Sequence, residues 1–150
     1  MRVIIQRVSE SKVIVDNNTE GKIGKGLLLL VGIEASDDKT DVEWIARKVI
    51  NMRIFSDNDG KMNLSLLDIK GEILVISQFT LQASTKKGNR PSYINAAKPE
   101  IAIPIYVAFK KELSFQLNKP VQSGIFGADM KVHLINDGPV TIWIDSKDKK

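Results

Sequence analysis

The run Ile73-Leu74-Val75-Ile76 is apolar at four consecutive positions. Successive residues of a strand point to opposite sides, so this segment carries apolar side chains on both faces. A strand of that kind is central and must be covered on both sides. The chain supplies helices for the task. Val42, Ile45, Ala46, Val49 and Ile50 recur at helical spacing on one face. Thr40 and Glu43 have the spacing of a capping box ahead of that face. Asp41 and Glu43 lie toward the positive end of the helix dipole, and Arg47, Lys48 and Arg53 toward the negative end. This predicts a helix packed on a sheet, with no chemistry of its own. A second helix is predicted from Pro99, a favourable first-turn residue, to about Leu117. It buries Ala102, Ile105, Tyr106, Phe109 and Leu113, and Pro104 predicts either a kink or a later start.

The remaining pattern reads as strands and turns. Arg2 to Val8 alternates and is rich in β-branched residues, and Lys12 to Asp16 forms a second strand closed by the turn pair Asn17-Asn18. Gly21, Gly24 and Gly26 precede the apolar run Leu27 to Ile33, which marks them as turn and bulge residues. Phosphate-cradling glycines instead follow a strand and open a helix. Asp57-Asn58-Asp59-Gly60 looks like part of a calcium loop, but Phe55 and Leu66 stand where ligands are needed, so it is a turn. Lys131 to Ile135 and Val140 to Asp145 make a final pair of strands. Scattered strands with two helices predict a single α+β domain over residues 1–150. Its core is a curved, mostly antiparallel, barrel-like sheet backed by two main helices, with 146–150 as a frayed basic tail.

Composition removes whole classes of chemistry. The 150 residues include no cysteine, which excludes thiol catalysis, thiolate zinc sites and redox motifs. The single histidine, His133, cannot build a histidine-rich metal site, and its neighbours Val132 and Leu134 place it within a strand as a packed or surface residue. No metal and no cofactor are expected. No apolar run approaches the roughly eighteen residues a membrane span requires. The start Met1-Arg2-Val3-Ile4-Ile5-Gln6-Arg7 is charged too early for a signal peptide, so the expected address is cytoplasmic. The formal charge is +4, of which residues 147–150 supply +2. More telling is Leu81 to Lys98, where Lys86, Lys87, Arg90 and Lys98 stand without an acidic residue. Such a block suits a phosphate backbone.

Two polar clusters interrupt apolar strands. In a regular strand Ser77 and Phe79 share one face while Gln78 and Thr80 share the other, so one pocket does not collect them all. A site here requires the strand to break near Ser77 and expose backbone amides for a developing oxyanion. Thr80 or Ser77 as a nucleophile requires a base, and none is near in sequence. The alternative is a strand end whose hydroxyls bond to backbone, and chemistry alone favours that alternative. The second cluster, Asn136-Asp137-Gly138-Pro139-Val140-Thr141, reads by itself as a turn between strands.

At these residues the chain resembles the D-aminoacyl-tRNA deacylase family, marked by Ser-Gln-Phe-Thr-Leu and Asn-x-Gly-Pro-x-Thr motifs. Both are complete here, as Ser77 to Leu81 and Asn136 to Thr141. Met1-Arg2-Val3 with Gln6-Arg7-Val8, Gly60 to Asn63, Gly88 to Ser92 and Gly124 to Met130 are similar to the same family, in its order, over nearly the whole chain.

The resemblance implies a hydrolase that cuts the ester of D-aminoacyl-tRNA, and of glycyl-tRNA, while rejecting L-aminoacyl-tRNA. It implies an obligate homodimer with active sites at the subunit interface, and neither membrane nor DNA as partner. Ser77, Gln78, Phe79 and Thr80 become the catalytic floor around the amino acid and terminal adenosine. Gly138-Pro139, with its bond in cis, enters the partner's pocket and holds the α-amino group so that an L side chain collides. Asn136 belongs to that selective corner, Arg7 braces it, and Phe126 and Met130 line the adenosine side. Lys86, Lys87 and Arg90 fall near the tRNA backbone. Attack by water assisted by the ribose 2′-OH needs no side-chain base, and Thr80 as covalent nucleophile is the competing mechanism. Two readings from other classes are a non-catalytic module that holds tRNA ends and an esterase using Ser77 or Thr80 on small acyl esters.

Overall fold

The computed structural model describes residues 1–149. Its backbone is a bent two-strand ribbon. β1 (Arg2–Val15) pairs antiparallel along almost its whole length with β8 (Lys131–Asp145). On its other edge β1 pairs first with β3 (Gly26–Gly32) and then with β2 (Asn18–Ile23), both antiparallel. β6 (Glu72–Ser77) joins β3 in parallel and β7 (Gln122–Ser123) joins β6 in parallel, giving a six-stranded mixed sheet. β2 curls back toward β7, where a Cβ on Gly21 would stand 3.0 Å from the Ser123 carbonyl oxygen. The sheet is therefore a nearly closed barrel. β4 (Phe55–Ser56) and β5 (Met62–Leu64) form a separate small hairpin, whose tip is the Asp57–Gly60 turn.

Two helices, α1 (Lys39–Asn51) and α2 (Pro99–Leu117), cover one face of the sheet. Val3, Ile5, Leu29, Ile73 and Val75 pack there against Ile45, Val49, Tyr106 and Phe109. On the other face Leu28, Leu74 and Ile76 meet Val8, Val13 and Ile23 from the folded-over ribbon. The central strand thus has the two covers its apolar run demands.

Several boundaries differ from expectation. The segments predicted as Arg2–Val8 and Lys12–Asp16 fall in one strand, β1, which ends at Val15, because pairing with β8 resumes past the polar Ser9-Glu10 step after two register shifts. The turn that follows uses Asp16 and Asn17, both at positive φ, one residue earlier than predicted. The final two strands are likewise one element, β8, interrupted by the Gly138-Pro139 corner. α1 is capped by Asp38, whose carboxylate accepts from the Thr40 and Asp41 amides, while Asp41 returns a bond to the Asp38 amide. Thr40 and Glu43 are not the capping pair; Glu43 pairs with Lys39 on the surface. α2 starts at Pro99 and continues through Pro104, with Ile105 only half-buried and Leu117 added to its buried face. The first two residues of the predicted tail are docked: the Ser146 amide donates to the Met1 carbonyl and Lys147 Nζ lies 2.7 Å from Asp41. Lys150, the end of that tail, lies outside the described residues.

Candidate active site

β6 stops at Ser77, where the chain needs to turn across the end of β3. The Gln78 amide still donates to the Val31 carbonyl (2.7 Å), and Phe79–Gln82 then coils into a single 3-10 turn. This is the strand break that a site at Ser77-Gln78-Phe79-Thr80 requires. As first-turn amides, those of Phe79 and Thr80 have no acceptor within the turn and donate to no backbone carbonyl among the described residues. Two N–H groups are left available to a ligand.

The turn is held from beneath by residues whose role the sequence does not announce. The Gln82 side chain is buried and its Nε2 donates to the Gly32 carbonyl (3.0 Å). Arg2 Nη1 donates to the Leu81 carbonyl (3.0 Å) while Arg2 Nε pairs with Asp145 at 2.9 Å. Gly32 permits the close approach, since a Cβ there would lie 2.7 Å from Leu81 Cβ and 2.9 Å from the Gln78 carbonyl oxygen. Adjacency of Gln82 to the Ser77–Leu81 motif was the available signal for one of them. Gly32 and Arg2 are separated from the motif by dozens of residues, and only the β1–β3–β6 pairing brings them to it.

Above the turn lies a cavity of about 430 Å³. It is lined by Ser77, Gln78 and Phe79, by Ala97 and Ala102 around the start of α2, and by Phe126 and Met130. Phe126 is set edge-on against Tyr106, with ring centroids 5.6 Å apart. The buried Tyr106 hydroxyl donates to the Val75 carbonyl (2.9 Å), and burial raises its pKa further from neutrality, so it acts as a structural donor. Phe79 is 56% exposed and meets Tyr93 edge-on at 5.1 Å, which ties the Lys86–Arg90 loop to the lip. Ser84 and Ser92 exchange backbone hydrogen bonds at the base of that loop and present Lys86, Lys87 and Arg90 as exposed side chains outside the cavity.

Thr80 does not line the cavity. Its Oγ1 accepts a hydrogen bond from Gln78 Nε2, and no carboxylate or imidazole is hydrogen-bonded to it. An amide donor on that oxygen opposes nucleophilic attack, where a base would promote it. His133, the one imidazole, is exposed on β8 and is not among the lining residues. Among the described residues no group of three or more His, Asp or Glu side chains converges as a metal site.

The second cluster sits elsewhere. The Gly138–Pro139 bond is cis, and Gly138 has φ +135°, in the region that favours glycine. Asn136 ties the base of the corner, its Oδ1 accepting from the Val140 amide (3.0 Å) and its Nδ2 donating to Thr141 Oγ1 (2.9 Å). Arg7 braces it by donating from Nε to the Asp137 carbonyl (2.9 Å) and from Nη1 to the Ile54 carbonyl. Arg7 pairs with Leu27 at the start of β3, whereas the cavity opens at the end of β3, by Val31 and Ile33. Within one chain the corner and the cavity are therefore apart. The structure gathers Ser77, Gln78, Phe79, Phe126 and Met130 into one site and Arg7, Asn136, Gly138 and Pro139 into another.

Comparison with known proteins gives this arrangement a context. The family model described as D-Tyr-tRNA(Tyr) deacylase matches residues 4–145. A D-aminoacyl-tRNA deacylase from Flavobacterium psychrophilum is 64% identical over 150 residues, the whole of both chains. One from Parabacteroides distasonis is 60% identical over the same span. Among solved structures, the c-Myc DNA Unwinding Element Binding Protein superposes with TM-score 0.92 at 39% identity, covering 97% of this chain and 98% of that one. A probable eukaryotic D-amino acid tRNA deacylase superposes with TM-score 0.80 at 17% identity, covering 95% and 97%, a likeness of fold.

Proposed function

The chain belongs to the D-Tyr-tRNA(Tyr) deacylase family, hydrolases of D-aminoacyl-tRNA, and from that premise we propose that it removes D-amino acids and glycine from tRNA, rejects L-aminoacyl esters, and needs neither metal nor side-chain base. The observation that carries this reading is the 3-10 turn after Ser77, which leaves the Phe79 amide, on a residue that lines the cavity, without a backbone acceptor and offers no nucleophile–base pair. The ester carbonyl oxygen docks on the Phe79 amide, which stabilises the charge that develops as water attacks. Water adds to the carbonyl carbon, the bond to the ribose oxygen breaks, and the proton lost by water ends on that oxygen. The neighbouring ribose 2′-OH orients the water. An ester is reactive enough for orientation and oxyanion stabilisation to suffice. Gln78 is the positioning residue, through its bond to Thr80, and Phe126 and Met130 take the adenosine.

Chiral selection belongs to the partner subunit in this reading. The cavity of one chain holds no corner to grip an α-amino group, and the corner of the same chain lies at the far end of β3. A two-fold dimer sends each Gly138-Pro139 corner into the other chain's cavity, where its carbonyls accept from the α-ammonium. An L side chain then collides with the corner, a D side chain points away, and glycine presents nothing to exclude. Support for such a dimer comes from β8, where Trp143 is 47% exposed. Lys86, Lys87 and Arg90 follow the tRNA backbone without reading sequence, and the work is done in the cytoplasm, where aminoacyl-tRNA is used.

The test is release of labelled tyrosine from D-tyrosyl-tRNA and L-tyrosyl-tRNA in the presence of EDTA. Rapid release from the D ester alone is expected, and release from neither rejects the reading. Thr80→Ala separates the mechanisms within it. Because Gln78 donates to Thr80 and no base is bonded there, the variant is expected to keep kcat within about tenfold of the parent. A fall to the uncatalysed rate assigns the attack to Thr80.

A further inference from the structure

A second groove, of about 350 Å³, lies on the outward face of the β2–β1–β8 ribbon. In register across three neighbouring strands stand Lys22, Lys12 and His133, with Lys12 opposite both of the others. Residues directly opposite on neighbouring strands share one face, and like charges so placed destabilise the pairing. Neither lysine has an ion pair or a side-chain hydrogen bond among the described residues. Other surface lysines nearby are matched, as Lys131 is by Asp129 at 2.9 Å. The one carboxylate at the groove is Glu10, at its rim beside Ile135. Strands lie about 4.8 Å apart, so the row extends about 10 Å, suited to a length of anionic chain more than to a single ion.

The position of the groove identifies the anion. β8 is a shared wall: Val132 faces inward to the catalytic cavity and His133, the next residue, faces outward to the groove. A nucleic acid whose 3′ end occupies the cavity brings its adjoining backbone past the outside of that wall. We propose that Lys22, Lys12 and His133 form a sequence-independent docking strip for the phosphodiester backbone of the tRNA substrate, separate from the Lys86–Arg90 loop and on the other side of the cavity wall. The inference rests on tRNA being the substrate. Two lysines supply charge and His133 supplies a ring N–H donor, and none of them touches the reacting ester.

The experiment measures the affinity of the full-length protein for uncharged tRNA as a function of KCl, for the parent, for Lys12→Gln with Lys22→Gln, and for Glu10→Gln. Each cation withdrawn from a phosphate lowers the log–log salt slope by about 1, so the double variant is expected to lose about 2 and to bind several-fold more weakly. Glu10→Gln is expected to bind more tightly, an opposite sign that damage to the fold does not produce. In turnover, the double variant is expected to raise KM for D-tyrosyl-tRNA several-fold and to leave cleavage of the small ester D-tyrosyl-adenosine unchanged. An unaltered salt slope in the double variant overturns the proposal, as does an equal loss on tRNA and on the small ester. A parent protein that binds tRNA through this strip but releases no amino acid defeats the deacylase reading and leaves the strip standing.

Discussion

The two polar interruptions of the sheet are built in opposite ways. The turn after Ser77 is braced from its own chain: buried Gln82 bonds to the Gly32 carbonyl, Arg2 reaches the Leu81 carbonyl, and Gly32 lets the turn approach where a Cβ would collide. The Gly138-Pro139 corner is exposed and braced chiefly by Arg7, with Asn136 and Thr141 at its base. Under the proposed function the floor holds an amide in place for an oxyanion, and it gains from burial because a buried brace such as Gln82 is shielded from competing water. Under the same proposal the corner serves a neighbouring molecule, and it has to stand clear of its own chain to do so. The difference teaches that one family motif marks a turn clamped within its own chain and the other a corner that stands clear of that chain's cavity.

The sharpest way to break this comparison is at Gly32. An alanine Cβ would lie 2.7 Å from Leu81 Cβ and 2.9 Å from the Gln78 carbonyl oxygen, so the turn has to shift. Misplacement of catalytic groups by about 1 Å costs on the order of 100-fold, and Gly32→Ala is expected to lower kcat/KM on D-tyrosyl-tRNA by about that much. Its thermal midpoint is expected to drop as well, since the strain falls in a buried clamp. A near-parental kcat/KM would mean that the floor tolerates displacement.

Gly138→Ala is the next largest. The added Cβ would meet Arg7 Nη2 at 2.8 Å at a φ of +135°, and such strain costs about 1–3 kcal/mol. Because the corner is exposed, local adjustment is expected to confine the damage there. The thermal midpoint then falls less than in Gly32→Ala, while the ratio of D- to L-tyrosyl-tRNA cleavage collapses. Retention of that ratio would remove the corner from chiral selection.

The smallest effect concerns neither region but the contact of Lys147 with Asp41. Burial raises the Asp41 carboxyl, yet hydrogen bonds from Lys147, Ser146 and the Asp38 amide outweigh it and hold the pKa at about 2. A carboxyl depressed on folding contributes stability above its unfolded value, about 3.9, and loses it as pH falls through the folded one. Lys147→Met is therefore expected to cost about 1 kcal/mol at pH 7, discounted because Lys147 is partly exposed, and almost nothing near pH 2. Urea unfolding at the two pH values measures the difference. An equal cost at both would show that the contact is packing alone.

Much of the architecture was legible because it depends on short-range pattern. The apolar face of α1 and the span of α2 appear in the structure essentially as periodicity places them. The cap of α1 did not, since Asp38 and Thr40 are both suitable capping types within three residues and only backbone geometry chooses Asp38. The polar Ser9-Glu10 step looked like a strand break and is not one, because pairing with β8 resumes on both sides of it through register shifts. The basic tail looked solvated, and ion pairing of Lys147 with Asp41, more than a hundred residues away, docks it.

By itself, then, the amino-acid sequence determined the central strand that needs two covers, the helices that provide one of them, and the two motifs at which polar residues replace apolar ones. Hydrophobic period and local residue type suffice for these, because each depends on neighbours a few positions away. Tertiary structure alone decided that Ser77 ends its strand in a 3-10 turn, and that Gln82, Gly32 and Arg2 clamp the turn. It also decided that the Gly138-Pro139 corner and the cavity occupy opposite ends of β3. These outcomes depend on strand pairing across long separations, where register sets which side chains meet and no local pattern records the choice.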